Sequence, residues 1–325
     1  MTNTLQLPKH NASEMSLPPR DSRWHESWRM LKRNKLGFTG LVFFILFLCI
    51  ATAGLILTSG TKPALDPSLV RLQEKLRPPL SKPNLQTLHP EEIPALRTYV
   101  FGTDDLGRDV FARMLQGAWV SLTVGFVAVG ISVFIGIFMG GIAGYFGQQH
   151  PFVDTFIMRF VDIMLCFPSF FLILTVVALL PASMYNIMIV IGLTSWMGTT
   201  RFVRAEFLAL REQDFVTAAR ALGLSHARII FRHMIPNAIA PVLVSATIGI
   251  ATAILTEAGL SFLGFGVPPP DATWGNILAS GKDFIFDAPW LTFIPGFAIL
   301  IVVLSFNLFG EGLRDVLNPK LRERY

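Results

Sequence analysis

Charge is scarce in this chain. Asp, Glu, Lys and Arg make up 15% of its 325 residues, against about 25% in ordinary soluble domains. So few ions cannot cover a water-soluble globule, and a lipid bilayer is the expected solvent. Cysteine is scarcer still. Cys49 and Cys166 are the two present, both inside apolar runs. They read as small packing residues, which excludes a disulfide framework or a thiolate metal site. The histidines, His10, His25, His89, His150, His226 and His233, form no H-E-x-x-H or comparable metal spacing. A phosphate-binding loop is also missing. The nearest approach, Gly275 to Asp283, has the wrong spacing and Asp after Lys282. Ser261 lies in Gly259-Leu260-Ser261-Phe262-Leu263, without the second glycine of a nucleophile elbow and with no base nearby. Nothing here builds a catalytic constellation, so the chain is not expected to be an enzyme or to hold a cofactor or metal.

What is abundant is apolar: 52% of residues, with 28 Phe. The hydrophobic run from Gly37 to Thr58 is long enough for a hydrocarbon core of about 30 Å. The polar segment before it is too long, and the run itself too long, for a cleavable signal peptide. Five further spans are expected near Ser121–Tyr145, Phe160–Leu180, Tyr185–Phe202, Ala238–Ala258 and Leu291–Gly310. The pattern predicts an all-α polytopic membrane protein with six transmembrane helices and both termini on one side. With the N-terminus inside, about 18 of the 27 Lys and Arg fall in inside segments and about 9 outside. The positive-inside rule therefore favours N-in and C-in. Trp119 and Trp290 then fall at the outer interface.

The implied domains are a cytoplasmic tail over 1–36, a first span over 37–58, an extracytoplasmic loop over 59–117, a five-helix core over 118–311 and a cytoplasmic tail over 312–325. The first part of the outer loop is rich in proline, which predicts an extended chain. In its last part, Asp104 or Asp105 is expected to cap an amphipathic helix carrying Leu106, Val110, Phe111 and Met114. Asp104, Asp105 and Asp109 lack the ligand order of a calcium loop. Gly136, Gly140 and Gly144 repeat a small-residue spacing that favours close packing against another helix. Pro168 predicts a kink in the third span.

The core is interrupted by a basic segment, 203–237. Phe215, Ala218, Ala219 and Leu222 stand at i, i+3, i+4 and i+7, the spacing of one apolar helical face. Gly223 is expected to stop that helix, Ser225 to cap a second one and Pro236 to end the second. Such a unit can dock on a protein or on DNA. Arg228, Arg232 and His233 could meet phosphate, but the segment is pinned at both ends to spans and has no third supporting helix. No nucleic acid is expected.

The same residues resemble a known family. Thr217-Ala218-Ala219, then Gly223 after three residues, then His233-Met234-Ile235-Pro236 after nine, follow the spacing of the Glu-Ala-Ala signature of the permease subunits of binding-protein-dependent ABC importers. Thr217 replaces the Glu, and His233 and Ile235 replace Ile and Leu. The stretches GTDDLGRDVFARMLQGAWVSL, MRFVDIMLCFPSFF, EAGLSFLGFGVPPPDATWG and FNLFGEGLRDVLNPKL are similar to the second permease subunit of dipeptide, oligopeptide and nickel importers. The resemblance implies the type I ABC importer permease fold. It implies four kinds of partner: a homologous second permease, two cytoplasmic ATPases that bind ATP and Mg, an extracytoplasmic binding protein, and membrane lipid. It also implies that Phe215, Thr217, Ala218, Ala219, Leu222, Gly223, His233 and Pro236 belong to the element coupled to the ATPases. Peptides are the first choice of cargo, with nickel complexes and other small solutes behind.

Two acids in or beside spans need reasons, because a carboxylate at mid-bilayer costs at least about 2.5 kcal/mol. Asp162 is expected either to pair locally with Arg159, one turn away, or to serve at the helix end. Glu257 is expected near the outer end of its span, as interfacial structure or facing the substrate pathway. A stand-alone ion-coupled transporter would call for an internal repeat or several buried charges, and neither is evident. A membrane anchor for a soluble enzyme would not need six spans and a partner-coupling segment.

Overall fold

The computed structural model describes residues 23–61 and 63–317. Much of the expected N-terminal tail and the end of the C-terminal tail lie outside the described residues. Among those residues the chain is helical, with isolated bridges at Ser81–Tyr99 and Thr103–Asp109 in place of strands.

A short amphipathic helix, α1 (Arg23–Arg33), leads into α2 (Lys35–Thr58). Asn34 caps α2, its side chain accepting from Gly37 N at 3.0 Å, and donates to Asp315 at 2.7 Å. One residue thus fixes the turn and ties it to the other end of the chain. The first expected span is therefore present, with its N-terminus set by a cap.

Residues 63–109 are folded, not extended. Glu74 and Tyr99 are fully buried, and the Glu74 carboxylate accepts from Asn84 N and pairs with Arg77. Thr103 donates to the Glu74 carbonyl and accepts from Arg77 N. The prolines remove ladder donors, so side-chain bonds across long loop separations take their place. Trp290 Nε1 donates to the Thr103 carbonyl at 3.2 Å and anchors this cap to the last helix.

The expected separate amphipathic helix is absent. Asp109, not Asp104 or Asp105, caps α3 (Val110–Phe146), a single helix of 37 residues. Gly107, at φ +72°, breaks the chain before it, and a Cβ there would strike the Arg71 carbonyl. Leu106 is therefore outside the helix. Asp104 instead accepts from Leu106 N and Arg108 N and pairs with Arg108 at 2.7 Å.

Where the third span is expected, the chain forms two helices that meet at a sharp bend. α4 (Pro151–Leu165) and α5 (Ser169–Leu179) meet at 82°, with Pro168 as the cap of α5. α6 (Met184–Arg211) follows, and its Thr199, Thr200, Val203, Arg204 and Phe207 pack against Gly136, Gly140 and Gly144 of α3. The small-residue stripe therefore found its helical partner within the chain. α7 (Asp214–Ala221) and α8 (His226–Ile229) form the hairpin, and α9 (Ile235–Phe262) returns through the bundle. A short α10 (Trp274–Gly281) and the long α11 (Trp290–Leu317) complete it.

Pro236 does not end the second hairpin helix. Residues 230–234 form one widened π turn, and His226–Phe262 runs on as one apolar helix. The wide turn relieves the clash a proline ring makes with the preceding turn. Asn237 then donates to the His233 carbonyl. Among the described residues four helices, α2, α3, His226–Phe262 and α11, are long and apolar enough to cross a membrane, or five if the bent α4–α5 pair is one span. The remaining expected span falls on α6, whose hydroxyl residues and Arg201 leave it too polar to count as a span by length and apolarity.

Candidate functional site

The hairpin closes one end of the bundle and residues 63–109 close the other. At the hairpin end, Val216 and Ala219 are buried with Tyr145, Phe207, Ile229 and Met234. Phe215, Thr217, Ala218 and Leu222 are exposed, Leu222 by 80%. The expected four-residue face is therefore split. Ala219 points into the chain's own core, because Val216, three residues earlier, shares that inner side. Ala218 and Leu222, one turn apart, mark the outer side, with Phe231 of the π turn also 71% exposed.

The backbone at the turn follows the expectation. Gly223 sits at φ +74°, Leu224 N donates to the Ala219 carbonyl at 3.2 Å, and Gly223 N donates to Arg220 at 2.9 Å. This bond pair satisfies the last carbonyls of α7 and requires a left-handed residue. Ser225 holds the cap position of α8 but makes no side-chain cap bond. His233 is half-buried in the π turn, and Pro236 opens α9.

Several groups at this end went unread in the sequence. Tyr145, at the end of α3, is buried, and its hydroxyl lies 2.7 Å from His226 Nδ1. The Arg220 guanidinium stacks over the Tyr145 ring at 5.5 Å. Arg204 grips Asp154 with two nitrogens, one at 2.6 Å, linking α6 to α4. Asp162 pairs with Arg201 of α6, not with Arg159. A tyrosine at a span end is an ordinary interfacial residue in sequence, so only proximity reveals its partner.

Away from the hairpin, α3, α6 and α9 enclose a groove of about 240 Å³. Its wall carries the hydroxyls of Ser132, Ser195, Thr199, Ser245, Thr252 and Thr256 among small apolar residues. Ser195, Thr252 and Thr256 donate to carbonyls one turn back in their own helices. Each hydroxyl is thereby satisfied and leaves lone pairs to accept from a guest. The groove presents weakly polar, uncharged walls.

Glu257 is not on that groove. Its neighbour Thr256 lines it, whereas Glu257 is fully buried and accepts from Ser261 Oγ at 2.7 Å. Ser261 in turn packs against Gly266 and Gly275. Successive helical residues point about 100° apart, so Glu257 lies on the side of α9 that carries Ala258 and Ser261 against Gly275 of α10. Among the described residues no group of His, Cys, Asp or Glu is arranged to hold a metal.

Residues 109–323 match the family model described as the binding-protein-dependent transport system inner membrane component. Residues 22–79 match the N-terminal transmembrane domain of oligopeptide transport permease C. The dipeptide transport system permease protein DppC of Alkalihalophilus pseudofirmus is 41% identical over 98% of this chain and 97% of its own. The oligopeptide transport system permease protein OppC of Bacillus subtilis is 34% identical over 93% and 91%. In fold, the chain is similar to a subunit of the inward-facing MetNI methionine ABC transporter, with TM-score 0.50 and 19% identity over 64% of this chain and 97% of that one.

Proposed function

The chain belongs to the family of binding-protein-dependent transport system inner membrane components, and we propose that it is the C-type permease subunit of an ATP-driven peptide importer. It is a multi-pass inner-membrane protein. Di- or oligopeptides are the cargo, a reading supported by relatives named for dipeptide and oligopeptide transport along nearly the whole chain. α6 serves as the sixth span, the hairpin end is cytoplasmic, and residues 63–109 face outward.

A homologous second permease covers the α3–α6–α9 groove, so that the peptide passes between this hydroxyl-bearing wall and the partner. Two cytoplasmic ATPases hold ATP and Mg and supply the hydrolysis that this chain does not perform. An extracytoplasmic binding protein delivers the peptide to the outer loops. ATP-driven closure of the ATPases moves the hairpin between two positions, and the bundle follows.

The observation that carries this reading is the two-faced hairpin. Val216 and Ala219 weld one side to the bundle, while Leu222, Ala218 and Phe215 are left exposed on the other. An apolar tip amid arginines has no use inside this chain but fits an apolar cleft on a partner.

The test is a gentle pull-down of the full-length protein from native membranes, with uptake of labelled dialanine measured in matching cells. ATPase subunits are expected with the wild type and are lost on Leu222→Glu or Ala218→Arg. Phe286→Glu, at a site 96% exposed on the opposite end, is expected to retain them. A wild type that transports without any ATPase, or a Leu222→Glu variant that keeps both ATPase and uptake, would overturn the proposal.

A further inference from the structure

The hairpin is joined by the chain to α6 and α9, but not to α3. Yet α3 supplies one wall of the groove through Ala128, Val129, Ser132 and Val133. Any displacement of the hairpin must reach α3 through non-covalent contacts. Several contacts at the end of α3 are with α6 and not with the hairpin itself. Gly144 packs on Phe207 and Arg204, and Arg211 reaches the Gly144 carbonyl, all from α6.

Tyr145 is different. Its hydroxyl meets His226 on α8 at 2.7 Å, and its ring lies under Arg220 of α7 at 5.5 Å. It therefore touches both arms of the hairpin at once. The position is 2% exposed, so a phenylalanine would fill it equally well; the hydroxyl adds one thing, the bond to the hairpin. His226 is exposed at the first position of α8, where packing does not require an imidazole. Phe146, edge-on to Tyr145 at 4.8 Å and 5.9 Å from the His226 ring, holds both rings in place.

We propose that Tyr145 is a positioning residue that couples the hairpin to α3, its bond to His226 carrying hairpin movement into the wall of the groove. Ser132 lies thirteen residues back along the same continuous helix, about 20 Å away at 1.5 Å per residue. A rigid helix of that length converts a small shift at Tyr145 into a shift of the hydroxyl wall. The inference rests on the importer reading above.

The test uses the assembled complex, purified with its partner subunits and reconstituted in vesicles. Uptake of labelled dialanine and release of phosphate are measured in the same vesicles. Tyr145→Phe should leave assembly intact and lower uptake per ATP by roughly five-fold, the scale of one lost hydrogen bond. His226→Asn, whose side-chain oxygen can stand near Nδ1, should keep the wild-type ratio. His226→Leu should match Tyr145→Phe, and the double variant should be no worse than either single one.

An unchanged ratio in Tyr145→Phe would overturn the inference. So would additive losses in the double variant, or uptake and hydrolysis falling together with the amount of assembled complex. A wild-type complex showing no ATP-dependent uptake would instead overturn the importer reading, and this inference with it.

Discussion

Gly37 of α2 and Gly312 of α11 cross backbone to backbone. A Cβ on Gly37 would fall 2.6 Å from the Gly312 Cα, and one on Gly312 would fall 2.5 Å from the Gly37 Cα. Neither can accept a methyl group unless the helices separate. Gly312→Ala should destabilise the protein by about 1–3 kcal/mol, the scale of overpacking, and lower the Tm in detergent by several degrees. Gly130→Ala, with nothing near its Cβ, should leave the Tm unchanged or raise it. Intrinsic tryptophan fluorescence on heating reads both.

Gly223 is constrained by conformation, not by space. Its φ is +74° and a Cβ there would meet nothing within 4 Å. Gly223→Ala should therefore cost about 1 kcal/mol through the left-handed backbone alone, and Gly223→Asn less. Protease susceptibility of the hairpin should follow that order, with global Tm little changed.

Glu257 should prove structural. Glu257→Gln retains an oxygen able to accept from Ser261 Oγ. Uptake of peptides with and without an extra cationic end should be the same in wild type and Glu257→Gln. A selective loss of the cationic peptides would instead place Glu257 on the pathway.

Tyr99, in the folded cap of residues 63–109, is pushed up to about 12 by burial, with nearby Arg71 pulling in the opposite direction. The folded pKa lies above that of a free tyrosine, so the folded state holds its proton longer. Stability from the neutral hydroxyl is full below about pH 10 and is lost as pH rises through 12. Phenolate absorbance should show a late-titrating component that Tyr99→Phe removes, with the cap opening over the same range.

Ala219→Leu should behave unlike its neighbour Ala218→Leu. Ala219 is 5% exposed in the hairpin core, whereas Ala218 is exposed. The first should lower the Tm by overpacking, and the second should leave it unchanged. The difference between the two Tm values reports which side of α7 faces the bundle.

Much of this was legible without coordinates. Long apolar runs exclude water as the solvent wherever they occur, so the positions of α2, α3, α9 and α11 follow from composition. Gly223 marks a helix end because its backbone freedom is a local property. The stripe Gly136, Gly140 and Gly144 announces a close helix crossing for the same reason, since the absence of a side chain is visible in the residue itself. Family spacing located the hairpin.

Direction and partnership were decided only in three dimensions. Whether Ala219 or Ala218 faces inward depends on where α3 and α6 end, which no local period encodes. Asp162 meets Arg201 across two helices although Arg159 stands one turn away, because bundle packing brings α6 closer than the local turn does. Pro236 looks like a stop until a widened turn absorbs its ring. Glu257 and Thr256 are neighbours in the chain yet face α10 and the groove, since each helical step rotates a side chain by about 100°. Sequence sets what each residue can do locally; the packing of the helices chooses which neighbour it does it with.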